Sequence, residues 1–271
     1  MTNTYLMALF TATGASSYAH EYITELGVDL VQYFVFAGLP FLILYVVFKS
    51  KMVRFKIQQK FPENKHIVRE ISYSLLSMLI FNVMAVSIFF FAKHGYTKIY
   101  TDIHAHSMWY FAFSVIFFIV AHDTYFYWSH RLMHVKAIYP YVHLIHHKSY
   151  NPTPWATFSF HPIEAVMQFG IVPIVVFLIP VHPLAILAWS LYQLVLNVGG
   201  HTGYEVFRSG FTKRIHSFWS NTATHHNMHH KYVNSNFGLY FNIWDRVMGT
   251  NHERYHEEFE AAIKRRKETV V

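Results

Sequence analysis

The chain has 271 residues and no cysteine. That absence excludes disulfides, iron–sulfur clusters and thiolate-bound zinc, and it fixes no redox compartment. Charge is scarce as well. Asp, Glu, Lys and Arg make up 14% of the residues, against about 25% in an ordinary soluble domain. Hydrophobic residues reach 53%, aromatics 19%, and mean hydropathy is +0.20. The deficit of charge points to lipid as the solvent for part of the chain. Residues 1–30 contain no Lys or Arg, so the positive leader of a cleavable signal peptide is missing. No G-x-G-x-x-G fingerprint of a flavin or nicotinamide site occurs. The net charge of +7 could serve nucleic acid, but the basic residues flank apolar runs, which reads as membrane anchoring and not as nucleic-acid binding.

Three long apolar runs are present: "VQYFVFAGLPFLILYVVF" (31–48), "ISYSLLSMLIFNVMAVSIFFFA" (71–92) and "MWYFAFSVIFFIVAHDTYFYW" (108–128). About 20 helical residues cross a hydrocarbon layer of about 30 Å, so each can span. Residues 162–200 read as two shorter apolar helices broken at "IPVHP" (179–183), a hairpin that dips in and returns. The 49–69 linker carries Lys49, Lys51, Arg54, Lys56, Lys60, Lys65 and Arg69, whereas the 93–107 loop has only Lys93 and Lys98. The positive-inside rule puts that linker in the cytoplasm and the N-terminus outside, so the third span delivers His130 to the cytoplasmic face. The expected fold is all-α: a multi-pass membrane helical bundle with a cytosolic histidine-rich metal-binding cap. Residues 1–106 form the N-terminal segment with two spans, 107–250 a domain with the third span, the hairpin and most of the histidines, and 251–271 a charged tail with "KRRK" at 264–267.

Against this background stand 21 histidines, five of them within residues 130–147. "HRLMH" places His130 and His134 four apart, on one helical face. "HLIHH" supplies His143, His146 and His147. "HHNMHH" repeats that H-x-x-H-H spacing with His226, His229 and His230, preceded by His225, and "HTGYE" adds His201 where the hairpin re-emerges. One zinc takes about four protein ligands, and these groups exceed that, which suits two metal ions. Imidazole serves iron, zinc, copper and nickel alike, so ligand type alone does not choose among them. Asp123 lies two helical turns before His130 and could accept an imidazole N–H; the alternative is a structural acid at a helix end. Asp245 and Arg246 are expected to pair and lock the cap, with Trp244 beneath.

The three boxes, in the contexts "DTYFYWSHRLMH" (123–134), "HHKSYNPTPWATFSFHPIEA" (146–165) and "HHNMHHKYVNSNFGLYFNIWDRVMGT" (225–250), resemble the fatty acid hydroxylase/sterol desaturase superfamily of membrane di-iron oxygenases. The resemblance covers residues 110–250. It implies His130, His134, His143, His146, His147, His226, His229 and His230 as metal ligands, with His201 as a further one. Some members carry a second histidine four residues beyond that position. This chain has Glu205 there, which is a carboxylate ligand, an acid bonded to a ligand, or neither. His161 is expected to line the site, and His225 to stand behind the ligands. The implied cofactors are two Fe2+ ions, with zinc able to replace them in purified protein. The implied partners are a lipid substrate, O2 and an external electron donor such as cytochrome b5, ferredoxin or a reductase. The implied location is a bacterial inner membrane or the endoplasmic reticulum. The reaction would be hydroxylation or desaturation of a sterol-like, acyl or alkyl lipid. A metal transporter would place its ligands at mid-span, whereas these boxes sit at helix ends. A zinc hydrolase would need fewer histidines and a general base of the H-E-x-x-H kind. A histidine-rich metal-binding protein without activity is the remaining alternative.

Overall fold

A charge-free run of this length can satisfy its backbone in lipid only as a helix, because every N–H and C=O must find its partner within the segment. The computed structural model describes residues 15–215 and 217–268, and it follows that rule. The reading of residues 1–14 as part of an uncleaved N-terminus lies outside the described residues, as do residues 269–271 of the tail. Long apolar helices run over Tyr18–Val47 (α1), Asn64–Lys93 (α2) and Met108–Met133 (α3). The shorter Pro162–Leu178 (α4) and then Pro183–His201 (α5) follow. All but α4 are long and apolar enough to cross a membrane. Among the described residues there is no strand, only isolated bridges.

Local chemistry marks the ends. Ser107 caps α3, its hydroxyl accepting from the Tyr110 N–H at 3.2 Å. His182 does the same for α5 through the Leu184 N–H, with Pro183 at the first helical position. Gly38 lets the Trp155 ring press against α1, since a Cβ there would lie 2.9 Å from the indole. Inside the bundle the Phe118 and Trp189 rings stack at 4.2 Å beside Val175 and Val176. Outside, Val46, Val83, Trp109 and Ile116 are exposed, a belt of apolar side chains suited to lipid.

The hairpin of α4 and α5 goes deeper than a dip. Its tip pairs with the loop joining α2 to α3: the Lys98 N–H donates to Val176 O at 2.8 Å, and the Tyr100 N–H donates to Val181 O at 3.2 Å. The Tyr110 hydroxyl bonds Pro180 O at 2.9 Å. That loop lies at the end of α3 opposite His130, so the hairpin runs the length of the bundle. The 19 residues of α5 supply about 28 Å of helix, which is enough.

At the histidine end a cap forms from helix Ala223–Tyr232 (α6), helix Tyr255–Glu268 (α7) and short helical turns at Tyr139–Val142, Leu144–His147 and Ile243–Val247. Tyr255, Phe259 and Ile263 of α7 pack on Met228 of α6. The basic linker lies over the same end. Its Ile57 N–H donates to Gly203 O at 3.0 Å, and its Gln58 amide donates to Asn227 Oδ1 at 2.9 Å. Linker and histidine boxes therefore share one face. Single cysteines at Lys60, Lys148 and Lys264, all exposed, should react with an impermeant thiol reagent from one side of the membrane. A cysteine at His104 should react only from the other. Labelling of positions 60 and 148 from opposite sides would contradict the arrangement.

Candidate metal centre

Nine imidazoles converge in two groups. His130, His134, His143, His147 and His229 form one, and His146, His201, His226 and His230 form the other; the ligand atoms of each lie within 4.8 Å of one another. An ion bound at about 2.1 Å keeps its ligands within about 4.2 Å of each other, so each group can close on one ion with small side-chain movement. The two groups adjoin, with the His146 and His230 rings 4.6 Å apart.

Helical periodicity explains the split. In each box the residues four apart share a face, and the one between them points elsewhere. His130 with His134 and His143 with His147 enter the first group, while His146 turns to the second. The last box mirrors this: His226 and His230 enter the second group and His229 the first. Each H-x-x-H-H motif therefore serves both groups.

The proton positions decide whether a cation fits. His130 Nδ1 lies 2.8 Å from Phe237 O, His229 Nδ1 2.7 Å from Ser235 O, and His201 Nδ1 2.8 Å from Asn197 O. A carbonyl only accepts, so each of these Nδ1 atoms carries the proton and each Nε2 presents a bare lone pair. The fourth such contact is a carboxylate, with His143 Nδ1 2.7 Å from Glu164 Oε1. The His130 and His143 Nε2 atoms then face each other at 2.9 Å with no hydrogen between them. His147 and His229 Nε2 stand 3.0 Å apart, as do His201 and His226. The facing lone pairs of His130 and His143 repel unless a cation draws them together; in the other two pairs His229 and His201 have a fixed Nδ1–H, and a cation fits once His147 and His226 also turn a lone pair inward. Burial, and then the neighbouring imidazoles, holds His143, His146, His147, His226, His229 and His230 well below the usual histidine pKa. Their neutral form is the one that ligates metal. The donor set fits a pair of metal ions.

The other expected residues stand elsewhere. Asp123 accepts from the backbone N–H groups of Tyr240 and Phe241 at 2.9 and 3.2 Å, not from an imidazole. It anchors the 235–241 segment, whose carbonyls at Ser235 and Phe237 orient two of the histidines. Glu205 is in neither group. Its Oε2 accepts from the Thr224 N–H and hydroxyl at 3.1 and 2.7 Å, and its Oε1 accepts from the Phe207 N–H at 3.1 Å. It secures the start of α6, where an anion also suits the helix dipole; its burial pushes its pKa up. His161 is half-buried at the start of α4, accepting from the Ile163 N–H at 3.3 Å. His225 faces away from both groups, with its ring 4.9 Å from that of Tyr255 and Nε2 3.7 Å from Asp245 Oδ2; burial pushes its pKa down to about 4. Asp245 does not pair with Arg246. It accepts from the Phe237 and Gly238 N–H groups at 2.8 Å each, while Arg246 bonds Asn242 Oδ1 at 2.6 Å. Sequence reasoning missed Glu164, although a signal existed: it is the only charged residue between 162 and 200.

Beneath the histidines lies a cavity among α1 to α5. Phe126 and Phe160 line its upper end, their rings 4.9 Å from His130 and 5.2 Å from His146. An apolar molecule there would sit against both groups, with water kept away by the aromatic walls.

Two substitutions separate these roles. Glu164→Leu leaves the His143 Nδ1–H without its acceptor and should lower metal affinity about 10–100-fold, while Glu164→Gln, which keeps a carbonyl oxygen, loses less. Glu205→Ala should lower the unfolding midpoint and leave the number of bound metals unchanged. Metal titration and thermal unfolding read both, and unchanged affinity in Glu164→Leu or a lost metal in Glu205→Ala would contradict the assignments.

Residues 115–250 match the fatty acid hydroxylase family. The chain is 30% identical over 230 residues to lathosterol oxidase of Rattus norvegicus, covering 84% of this chain and 73% of that protein. It is 30% identical over 234 residues to Delta(7)-sterol 5(6)-desaturase of Leptosphaeria maculans, covering 86% of this chain and 61% of that one. No solved structure matches the chain. With the family matched over half its length and the histidine boxes gathered at one end of a helical bundle, the chain belongs to the fatty acid hydroxylase/sterol desaturase superfamily, a group of membrane lipid oxidoreductases.

Proposed function

We propose that the chain is a membrane-bound di-iron oxygenase that hydroxylates or desaturates a sterol-like, acyl or alkyl lipid. It would use O2 and electrons from an external donor such as cytochrome b5, ferredoxin or a reductase. The observation that carries this reading is the pair of imidazole groups standing over an aromatic-walled cavity at the end of a lipid-facing bundle. The sterols named for the relatives support a sterol-like substrate.

Two iron ions, when bound, supply the oxidant for an unactivated C–H bond, which no side chain provides. The residues of this chain do the rest. His130, His143, His146, His147, His226, His229 and His230 hold the ions together with His134 and His201. Glu164 and the carbonyls of Asn197, Ser235 and Phe237 fix the ring tautomers. Phe126 and Phe160 orient the apolar chain or ring and exclude water. His161 and His225 take no direct part. The basic 49–69 linker shares the histidine face, so the positive-inside rule puts that face, and the electron donor, in the cytoplasm.

Membranes containing the iron-loaded chain and a reducing system should incorporate label from heavy O2 into a lipid hydroxyl, or yield a new double bond. His147→Ala and His230→Ala, one from each group, should each abolish that product while the protein still inserts and folds. Near wild-type turnover in either variant would remove that histidine from the centre. Absence of any oxidised lipid in the loaded wild type would remove the function.

A further inference from the structure

The cavity under the histidines is not apolar throughout. Its upper end carries Phe126 and Phe160, but its lower end carries Asp29 and Gln32 on α1 and Ser190 and Gln193 on α5. Each pair is three residues apart and so shares a face. All four side chains are half-buried, and they line the cavity at a depth where a polar group turned to hydrocarbon would be costly. Asp29 is held in place by the Asn82 amide, which donates to its Oδ2 at 2.8 Å. The carboxamides of Gln32 and Gln193 have no hydrogen-bond partner among the described residues. The bundle thus keeps unspent hydrogen-bonding capacity in a collar around the cavity.

The depth of this collar follows from helix rise. Gln193 and Ser190 precede His201 by eight and eleven residues, about 12 and 16 Å along α5. On the other side, Ser74 of α2 and Tyr33 of α1 both donate to Trp155 O at 2.8 Å. That carbonyl belongs to the 154–158 turn, and Thr157 O of the same turn takes the Asn197 amide at 3.2 Å, one helical turn below His201. Asp29 lies four residues before Tyr33, and Asn82, which fixes it, eight residues beyond Ser74, about 6 and 12 Å further from the histidines along their helices.

We infer that this collar binds a hydroxyl group of the substrate, so that the carbon presented to the histidines lies about 12 Å or more from that hydroxyl. The inference rests on the reading of the cavity as the lipid site. Asp29 accepts the hydroxyl proton, and Gln32, Ser190 and Gln193 complete its hydrogen bonds. In a 3-hydroxysterol the 5(6) bond lies only a few bonds from the hydroxyl. A sterol bound at the collar therefore offers the far end of the molecule, its side chain, to the histidines. A long-chain alcohol bound the same way offers a mid-chain carbon.

Two probe pairs that differ only in the hydroxyl, cholestanol with cholestane and octadecanol with octadecane, test this by equilibrium binding to the purified full chain in lipid nanodiscs. The wild type should prefer the alcohol about tenfold or more in at least one pair, as a hydrogen bond to a charged group provides. Asp29→Leu combined with Gln193→Leu should remove the preference and leave hydrocarbon binding unchanged. Should that double variant fail to fold, Gln32→Leu with Gln193→Leu, which keeps the Asp29–Asn82 bond, should reduce the preference instead. No preference in the wild type, or a preference that survives in the folded variant, overturns the collar. Because the readout is binding, a preference without any lipid oxidation would sink the proposed oxygenase and leave the collar standing, and oxidation without a preference would do the reverse.

Discussion

Facing lone pairs are the constraint on which this molecule depends. Backbone carbonyls and one carboxylate take the Nδ1–H of four histidines, so the Nε2 atoms of His130 and His143 confront one another at 2.9 Å without a proton to share, and those of His201 and His229 turn lone pairs toward neighbouring imidazoles. Eight buried neutral imidazoles and the half-buried His134, gathered this way, cost free energy in desolvation and in repulsion, which bound metal ions would offset. The cap exists to hold this arrangement. Asp245 and Asp123 fasten the 235–241 segment that supplies two of the carbonyls, Glu205 fastens the start of α6, and α7 closes over Met228. These residues belong to neither imidazole group and act through the backbone of the cap.

The membrane part answers a different demand. A bundle with apolar side chains on its outside satisfies the backbone in lipid, and the 93–107 loop pairs with the hairpin tip to fix the depth of α4 and α5. That depth matters because α5 carries His201 at one end and the lining residues Asn197, Gln193 and Ser190 below it. One rigid helix therefore sets both the position of a histidine and the length of the cavity. The acidic and amide side chains near its lower end would be anomalies in a purely structural span.

Much of this was legible in the sequence. Length and absence of charge identify the spans, and the spacing of four between histidines identifies the faces that meet, because both depend on local periodicity alone. The division of each H-x-x-H-H motif between two groups is also implicit in 100° per residue, though which histidines join across helices required the fold. Residues whose roles are set by tertiary contact were not legible. Asp123 shares a face with His130, yet it is claimed by the amides of Tyr240 and Phe241, over a hundred residues away in sequence. Glu205 stands one turn beyond His201, but the chain leaves the helix there and turns its carboxylate to α6. The carbonyls that set the tautomers belong to the backbone and leave no mark on residue identity. Glu164 alone left a trace, as a single acid in an uncharged hairpin.

The two imidazole groups imply two metal positions, one bounded by His130, His134, His143, His147 and His229, the other by His146, His201, His226 and His230. Anomalous X-ray scattering at the iron edge from crystals of the iron-loaded protein tests that implication most directly. Two peaks are expected, one within each group of imidazoles. A single peak shared by both groups, or iron bound away from them, would contradict it.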